Sequence, residues 1–184
     1  QTCALPIYRN TSISVANALV NSRIDYCNSL LDSVSEYDMK RVRSVQYVLC
    51  RIINRIPKWS REPMTCHLKA LHWLPVRQRI AFKWFLLIYK AIKLGSPSYF
   101  TPYFIPHSSG INTRRNSADN MFLSREVVPF VRDIHTSKSQ FDKCFYTSGP
   151  VRWNALPSSV RCAPSLSLFR SRLKGFLFDQ AYPP

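Results

Sequence analysis

The sequence predicts a mainly α fold with a few short strands: a basic helical bundle followed by an irregular α+β C-terminal extension. Three observations predict it. Apolar residues recur at helical spacing in stretches that precede residue 95. Cations crowd the same region, since residues 39–95 hold 13 Lys and Arg against Glu62 alone, a net of +12 out of +16 for the whole chain. From Ser96 onward, prolines and aromatic residues replace that periodicity.

Ser14 to Leu31 reads as the first helix, with Leu19, Ile24, Cys27 and Leu31 at helical spacing. The polar stretch from Asp32 to Tyr37 ends it. Asp38 suits the N-cap of the next helix, because its carboxylate can accept the orphan N–H groups of a first turn. That helix runs to about Ile56, where Pro57 cannot continue it. Its apolar stripe is Val42, Val45, Leu49, Ile52, Ile53 and Ile56, and Lys40, Arg41, Arg43, Arg51 and Arg55 populate the rest of the surface. Arg51 and Arg55 lie one turn apart and repel mildly, an arrangement that suits a polyanion laid over them.

Thr65 can cap a short helix that reaches Leu71. Pro75 then suits the first turn of a longer one, and Gly95 its left-handed cap. Between them Val76, Ile80, Trp84, Leu87, Ile88 and Ala91 repeat at helical spacing, while Arg77, Arg79, Lys83, Lys90 and Lys93 are opposed by no acid in that segment. Beyond Ser96, the segments Met121–Ile134 and Gln140–Tyr146 read as strands, with Pro129 confining the first to an edge. Pro150–Pro157 reads as a turn region around Trp153. Ser165–Phe178 reads as a last helix, with Leu166, Phe169, Leu173, Phe176 and Leu177 on one face. No internal repeat is visible.

The chain thus divides into residues 8–95, a helical region, and 96–184, a C-terminal extension. Residues 1–7, Gln1-Thr2-Cys3-Ala4-Leu5-Pro6-Ile7, resemble the conceptual translation of a sequencing-adapter oligonucleotide and are expected to be non-biological.

Composition removes several classes. Apolar residues make up 46% of the 184 residues, which excludes a disordered basic tail or a low-complexity chain. The longest strongly apolar run, Trp84–Tyr89, falls far short of the roughly 20 residues of a membrane-spanning helix. Six scattered cysteines with no Cys-x-x-Cys suggest neither a disulfide scaffold nor a zinc ribbon, and point to a reducing, intracellular setting. Cys66, His67 and His72 lack a fourth ligand at sensible spacing, so no metal site is expected; Cys66 reads as a buried small apolar residue and His72 as a partner of the Trp73 turn. Trp73, Trp84 and Trp153 could stack on bases but read better as core. With four glycines in the chain there is no Gly-rich phosphate loop, and no nucleophile elbow is present.

A strongly basic helical face is the footprint of a phosphate backbone. Lys40, Arg41, Arg43, Arg51, Arg55, Arg77, Arg79 and Lys83 are the candidate nucleic-acid-binding residues.

Five blocks carry a family resemblance. Ser22-Arg23-Ile24-Asp25-Tyr26-Cys27-Asn28-Ser29-Leu30-Leu31 is similar to the "SRLDYCNSLL" block of LINE-type (non-LTR) retrotransposon reverse transcriptases, and Leu71-His72-Trp73-Leu74-Pro75-Val76-Arg77-Gln78-Arg79-Ile80 to their "LHWLPVxxRI" block. Pro97-Ser98-Tyr99 resembles "PSYL", with Phe100 in place of Leu. Arg152-Trp153-Asn154-Ala155-Leu156-Pro157 resembles "LWNSLP", and Ala163-Pro164-Ser165 with Phe169 resembles "APSxxxFK". The blocks stand in the family's order from about Ser14 to Phe178, most closely that of jockey-like and Rex-like elements.

The resemblance implies the thumb-like and post-polymerase region of an RNA-directed DNA polymerase. Its catalytic Asp-Asp motif lies upstream of these blocks, and no adjacent Asp pair occurs here. Polymerisation needs carboxylates holding two metal ions about 4 Å apart. The fragment is therefore expected to be catalytically silent and to need no cofactor, the magnesium belonging to the parent polymerase. The implied partners are nucleic acid (RNA template, RNA–DNA hybrid or DNA target) and the palm and fingers of the same polyprotein, with no membrane. The implied location is a cytoplasmic ribonucleoprotein and the nucleus. The alternatives are a protein-interaction module of that polyprotein, built on the C-terminal part, or a decayed element without physiological function.

Overall fold

The computed structural model describes residues 5–104, 122–123 and 145–183, with only the backbone of 5–7 and 145–146. Of these residues 76% are helical, so the fold is mainly α. Among the described residues Leu123 alone makes a β-bridge. The expected strand Met121–Ile134 falls outside them except at Phe122 and Leu123. The second expected strand falls outside for residues 140–144, and Phe145 and Tyr146 open a helix instead. Two compact units divide the chain, one formed by residues 1–81 with 177–184 and the other by 82–176. The boundary read from composition at residue 95 lies inside the second.

In the first unit, α1 (Leu5–Ala16) passes through a π-helical segment, Asn17–Asn21, into α2 (Ser22–Asp25). The single helix expected over residues 14–31 is broken, because Tyr26 is extended and Cys27 is left-handed at φ 48°. A 3₁₀ stretch, Asn28–Ser33, follows. Side-chain bonding accompanies the π-helical segment that precedes the break. Asn21 Nδ2 donates to Asn17 Oδ1 at 2.7 Å and Ser22 Oγ to the Ala18 carbonyl at 2.5 Å, so short polar groups compete with the helical ladder.

Helix α3 spans Glu36–Asn54 and is capped by Ser35, not Asp38. Ser35 Oγ accepts the Asp38 N–H at 3.2 Å and donates to the Asp38 carboxylate at 2.8 Å, a reciprocal arrangement that places an acid in the positive first turn. The helix ends at Arg55, left-handed at φ 53°, where the Ile56 N–H reaches back to the Arg51 carbonyl at 2.9 Å. Met39, Gln46, Cys50 and Ile53 are its buried positions. The expected stripe is thus rotated: Val45 and Ile52 are exposed, and Gln46 takes a core place because its Nε2 donates to the Leu74 carbonyl at 2.9 Å.

α4 (Met64–Ala70) leads through a turn with His72 at φ 52° into α5 (Val76–Leu94), which Gly95 closes at φ 60° as its sequence suggests. The core of the first unit gathers Ala16, Cys50, Ile53, Leu68, Leu71, Trp73 and, from the chain's far end, Tyr182. Tyr182 Oη donates to the Trp73 carbonyl at 2.8 Å, and burial raises its pKa.

The second unit takes Phe82–Leu94 of α5, a 3₁₀ segment Ser98–Tyr103, α6 (Phe145–Asn154), α7 (Ser158–Arg161) and Leu166–Phe176 of α8 (Leu166–Ala181). The turn expected over Pro150–Pro157 is helical as far as Asn154, with Pro150 inside α6 and Trp153 fully buried. Phe169 organises the packing: Tyr89 stacks on it at 4.2 Å and Trp153 tilts against it at 5.8 Å. Asn154 bonds both backbone groups of Leu123 at 2.9 Å, as a neighbouring strand would. Phe169, Leu173 and Leu177 of α8 are buried as its spacing predicts.

Candidate nucleic-acid interface

The acids that precede residue 39 are drawn onto the cations that follow it. Arg79 forms a bidentate pair with Asp25, Nε to Oδ1 at 2.8 Å and Nη2 to Oδ2 at 2.6 Å, with the Arg79 side chain only 16% exposed. Glu36 serves two cations, Arg43 at 3.2 Å and Arg77. Arg41 meets Asp38 at 3.7 Å and keeps 73% of its side-chain exposure. The impression of an unopposed basic stretch is therefore a property of the sequence window: tertiary pairing occupies Arg77 and Arg79, and a pair along α3 occupies Arg43.

The remaining candidates lie in several places. Lys40 and Arg55 are exposed on and just after α3, and Lys83 is half-buried in the second unit. The Arg55 guanidinium sits over the Tyr8 ring at 4.6 Å. Arg51 turns inward along the chain, its Nη1 donating to the Lys58 carbonyl at 2.7 Å.

That bond secures a turn that the charge periodicity did not single out. The Pro57 carbonyl accepts the Ser60 N–H at 3.1 Å, which puts Lys58 and Trp59 at the centre of the turn. Lys58, Trp59 and Arg61 are all exposed. Glu62, the sole acid of residues 39–95, is engaged by His67 Nε2 at 2.9 Å. The signal available in the sequence was Lys-Trp-Ser-Arg directly after a helix-ending proline.

The outer row of α3 is not a basic face. Residues 41, 45, 48, 52 and 55 share one side by helical spacing, so Arg41 and Arg55 bracket Val45, Val48 and Ile52, all exposed. Beside that row an apolar cleft of about 280 Å³ opens between α1 and α3, lined by Tyr8, Val15, Leu19, Leu49 and Ile52 among others.

Of the other candidates, Trp73, Trp84 and Trp153 are buried, as a core reading requires. Cys66 is exposed rather than buried, and the His72 ring stacks on Phe178 at 5.7 Å. Among the described residues no group of three His, Cys, Asp or Glu could hold a metal ion, and no helix is long and apolar enough to cross a membrane. Comparison of the chain with protein-family models, with curated proteins and with solved structures finds no match.

Proposed function

We propose that this chain binds nucleic acid through its phosphates, without reading sequence, as the thumb-like region downstream of a LINE-type reverse-transcriptase palm. The observation that carries the reading is the charge of residues 39–95, +12, which outnumbers the neighbouring acids even after Asp25, Glu36 and Asp38 have taken their partners. The resemblance of five ordered sequence blocks supports the choice of an RNA–DNA template–primer as the polyanion. In this reading the segment performs no polymerisation, and magnesium and the catalytic carboxylates belong to the palm. Its place is a ribonucleoprotein in cytoplasm and nucleus. Exposure favours Lys40, Arg41, Arg55, Lys58 and Arg61 as the phosphate contacts, whereas Arg79 serves the fold.

Fluorescence anisotropy of a labelled RNA–DNA hybrid tests this. Affinity should fall steeply between about 50 and 200 mM salt, and each contacting cation replaced by Gln should lower the log–log slope by about 1. An affinity that stays flat with salt, or that survives Arg55→Glu combined with Arg61→Glu, sinks the reading.

The exposed row Val45, Val48 and Ile52 and the cleft beside it favour a second reading, contact with another polypeptide such as the palm and fingers of the same polyprotein. Val48→Ser with Ile52→Ser, which adds no charge beside Arg41 and Arg55, separates the two. Hybrid binding persists in that variant if the phosphate reading holds.

A further inference from the structure

Trp59 is 83% exposed, more than any other large apolar side chain among the described residues. The other three tryptophans are at most 6% exposed. An indole left in water sacrifices one of the largest apolar burials a side chain can make, so its position calls for a ligand. The backbone beneath it is held from both sides, by the Pro57–Ser60 turn bond at 3.1 Å and by the Arg51 bond to the Lys58 carbonyl at 2.7 Å. Arg55, Lys58 and Arg61 lie within four residues of it, and the adjacent carboxylate of Glu62 is drawn to His67. A hydrogen-bonded turn thus presents one exposed indole, with three cations within four residues of it in the chain.

We propose that Trp59 is a stacking platform for an unpaired nucleotide, with the flanking phosphates met by Arg55, Lys58 and Arg61. The inference rests on the nucleic-acid reading above and adds the kind of nucleotide contacted. Every base has a π-face, so stacking is indifferent to sequence, as the phosphate contacts are. Within a duplex both faces of a base are already covered by its neighbours. A single indole on a turn can therefore reach only a base that is flipped, terminal or single-stranded. A membrane surface is less well matched, because interfacial binding draws on an apolar helix face, and the indole's neighbours in the chain, Lys58, Ser60 and Arg61, are polar.

The test compares wild type, Trp59→Ala and Trp59→Phe by anisotropy, using labelled oligothymidylate and a blunt-ended RNA–DNA hybrid. Trp59→Ala should weaken oligothymidylate binding by about 5- to 150-fold, leave the salt slope unchanged and affect the blunt hybrid much less. Trp59→Phe should recover most of the loss. Equal oligothymidylate affinity in wild type and Trp59→Ala overturns the platform while leaving the phosphate reading intact. Salt-independent binding by wild type overturns both. Tighter wild-type binding to phosphatidylglycerol vesicles than to oligothymidylate, lost in Trp59→Ala, also overturns it. Thermal melting of each variant checks the fold, which an exposed side chain should not disturb.

Discussion

Asp25 and Arg79 meet in a two-bond ion pair across 54 residues of sequence, joining the end of α2 to the first turn of α5 within the first unit. The pair ties residues 22–31 to residues 71–80 through their charged members. The planar guanidinium matches the carboxylate at both oxygens, a geometry Lys cannot reproduce.

Arg79→Lys and Asp25→Asn should each destabilise the first unit by about 1–2 kcal/mol. The 42% exposure of the Asp25 side chain keeps the value well below that of a fully buried pair. A double-mutant cycle in urea should return a coupling of at least about 1 kcal/mol. Neither substitution should alter the salt dependence of hybrid binding. A salt slope lowered by about 1 in Arg79→Gln would return Arg79 to the phosphate-contacting set.

Tyr182 gives the first unit an alkaline limit. Burial, reinforced by Cys50 and Tyr47, raises its pKa above the usual 10.0. Below pH 10 the hydroxyl is neutral in both states and its contribution is complete. As pH rises past that point the unfolded chain loses a proton that the folded chain keeps, so stability falls by up to about 1.4 kcal/mol per pH unit. Tyr182→Phe should cost about 1–3 kcal/mol at neutral pH, because the Trp73 carbonyl loses its donor. It should also flatten the decline above pH 10, measured by urea unfolding at pH 8 and at higher pH.

Arg161 carries a burial cost in the second unit. It is 4% exposed, its guanidinium lies over the Phe122 ring at 3.9 Å, and its Nε and Nη1 find no hydrogen-bond partner among the described residues. Burial lowers its pKa. Arg161→Met keeps the stem and removes the desolvated charge. It should stabilise the unit by about 1–2 kcal/mol, a rise in Tm of roughly 2–8 °C. A fall in Tm would mean that the contact with the Phe122 ring outweighs the desolvation of the charge.

Helical character before residue 95 was legible because the 3.6-residue period survives there, and Gly95 and Ser165 marked helix ends by their backbone chemistry. Ser165 Oγ accepts the Leu168 N–H at 3.3 Å. Three features were not legible. The break at Cys27 needs a left-handed backbone at a residue whose type gives no warning. Gln46 is polar by composition but buried by virtue of a bond to Leu74, 28 residues away. The pairing of Asp25 with Arg79 and of Glu36 with Arg77 is tertiary, so a charge count over a window cannot show it. In the candidate site, charge alone marks Arg55 and Lys40. Trp59 belongs to neither the charge pattern nor an apolar helical period, so neither signal marks it.

The orientation of α3 gives the sharpest contrast between neighbouring positions. Ile52 and Ile53 are adjacent in sequence and both fit an apolar stripe, yet Ile52 is 58% exposed and Ile53 is 4% exposed within the core of Cys50, Leu68 and Trp73. Ile53→Ala leaves a cavity and should cost about 2–5 kcal/mol. Ile52→Ala should fall within about 0.5 kcal/mol of wild type, since it removes little buried area. Urea unfolding of the two variants decides the register. Equal losses at both positions would mean that the outer row of α3 is covered in solution, and sedimentation of the wild type then shows whether a second copy covers it.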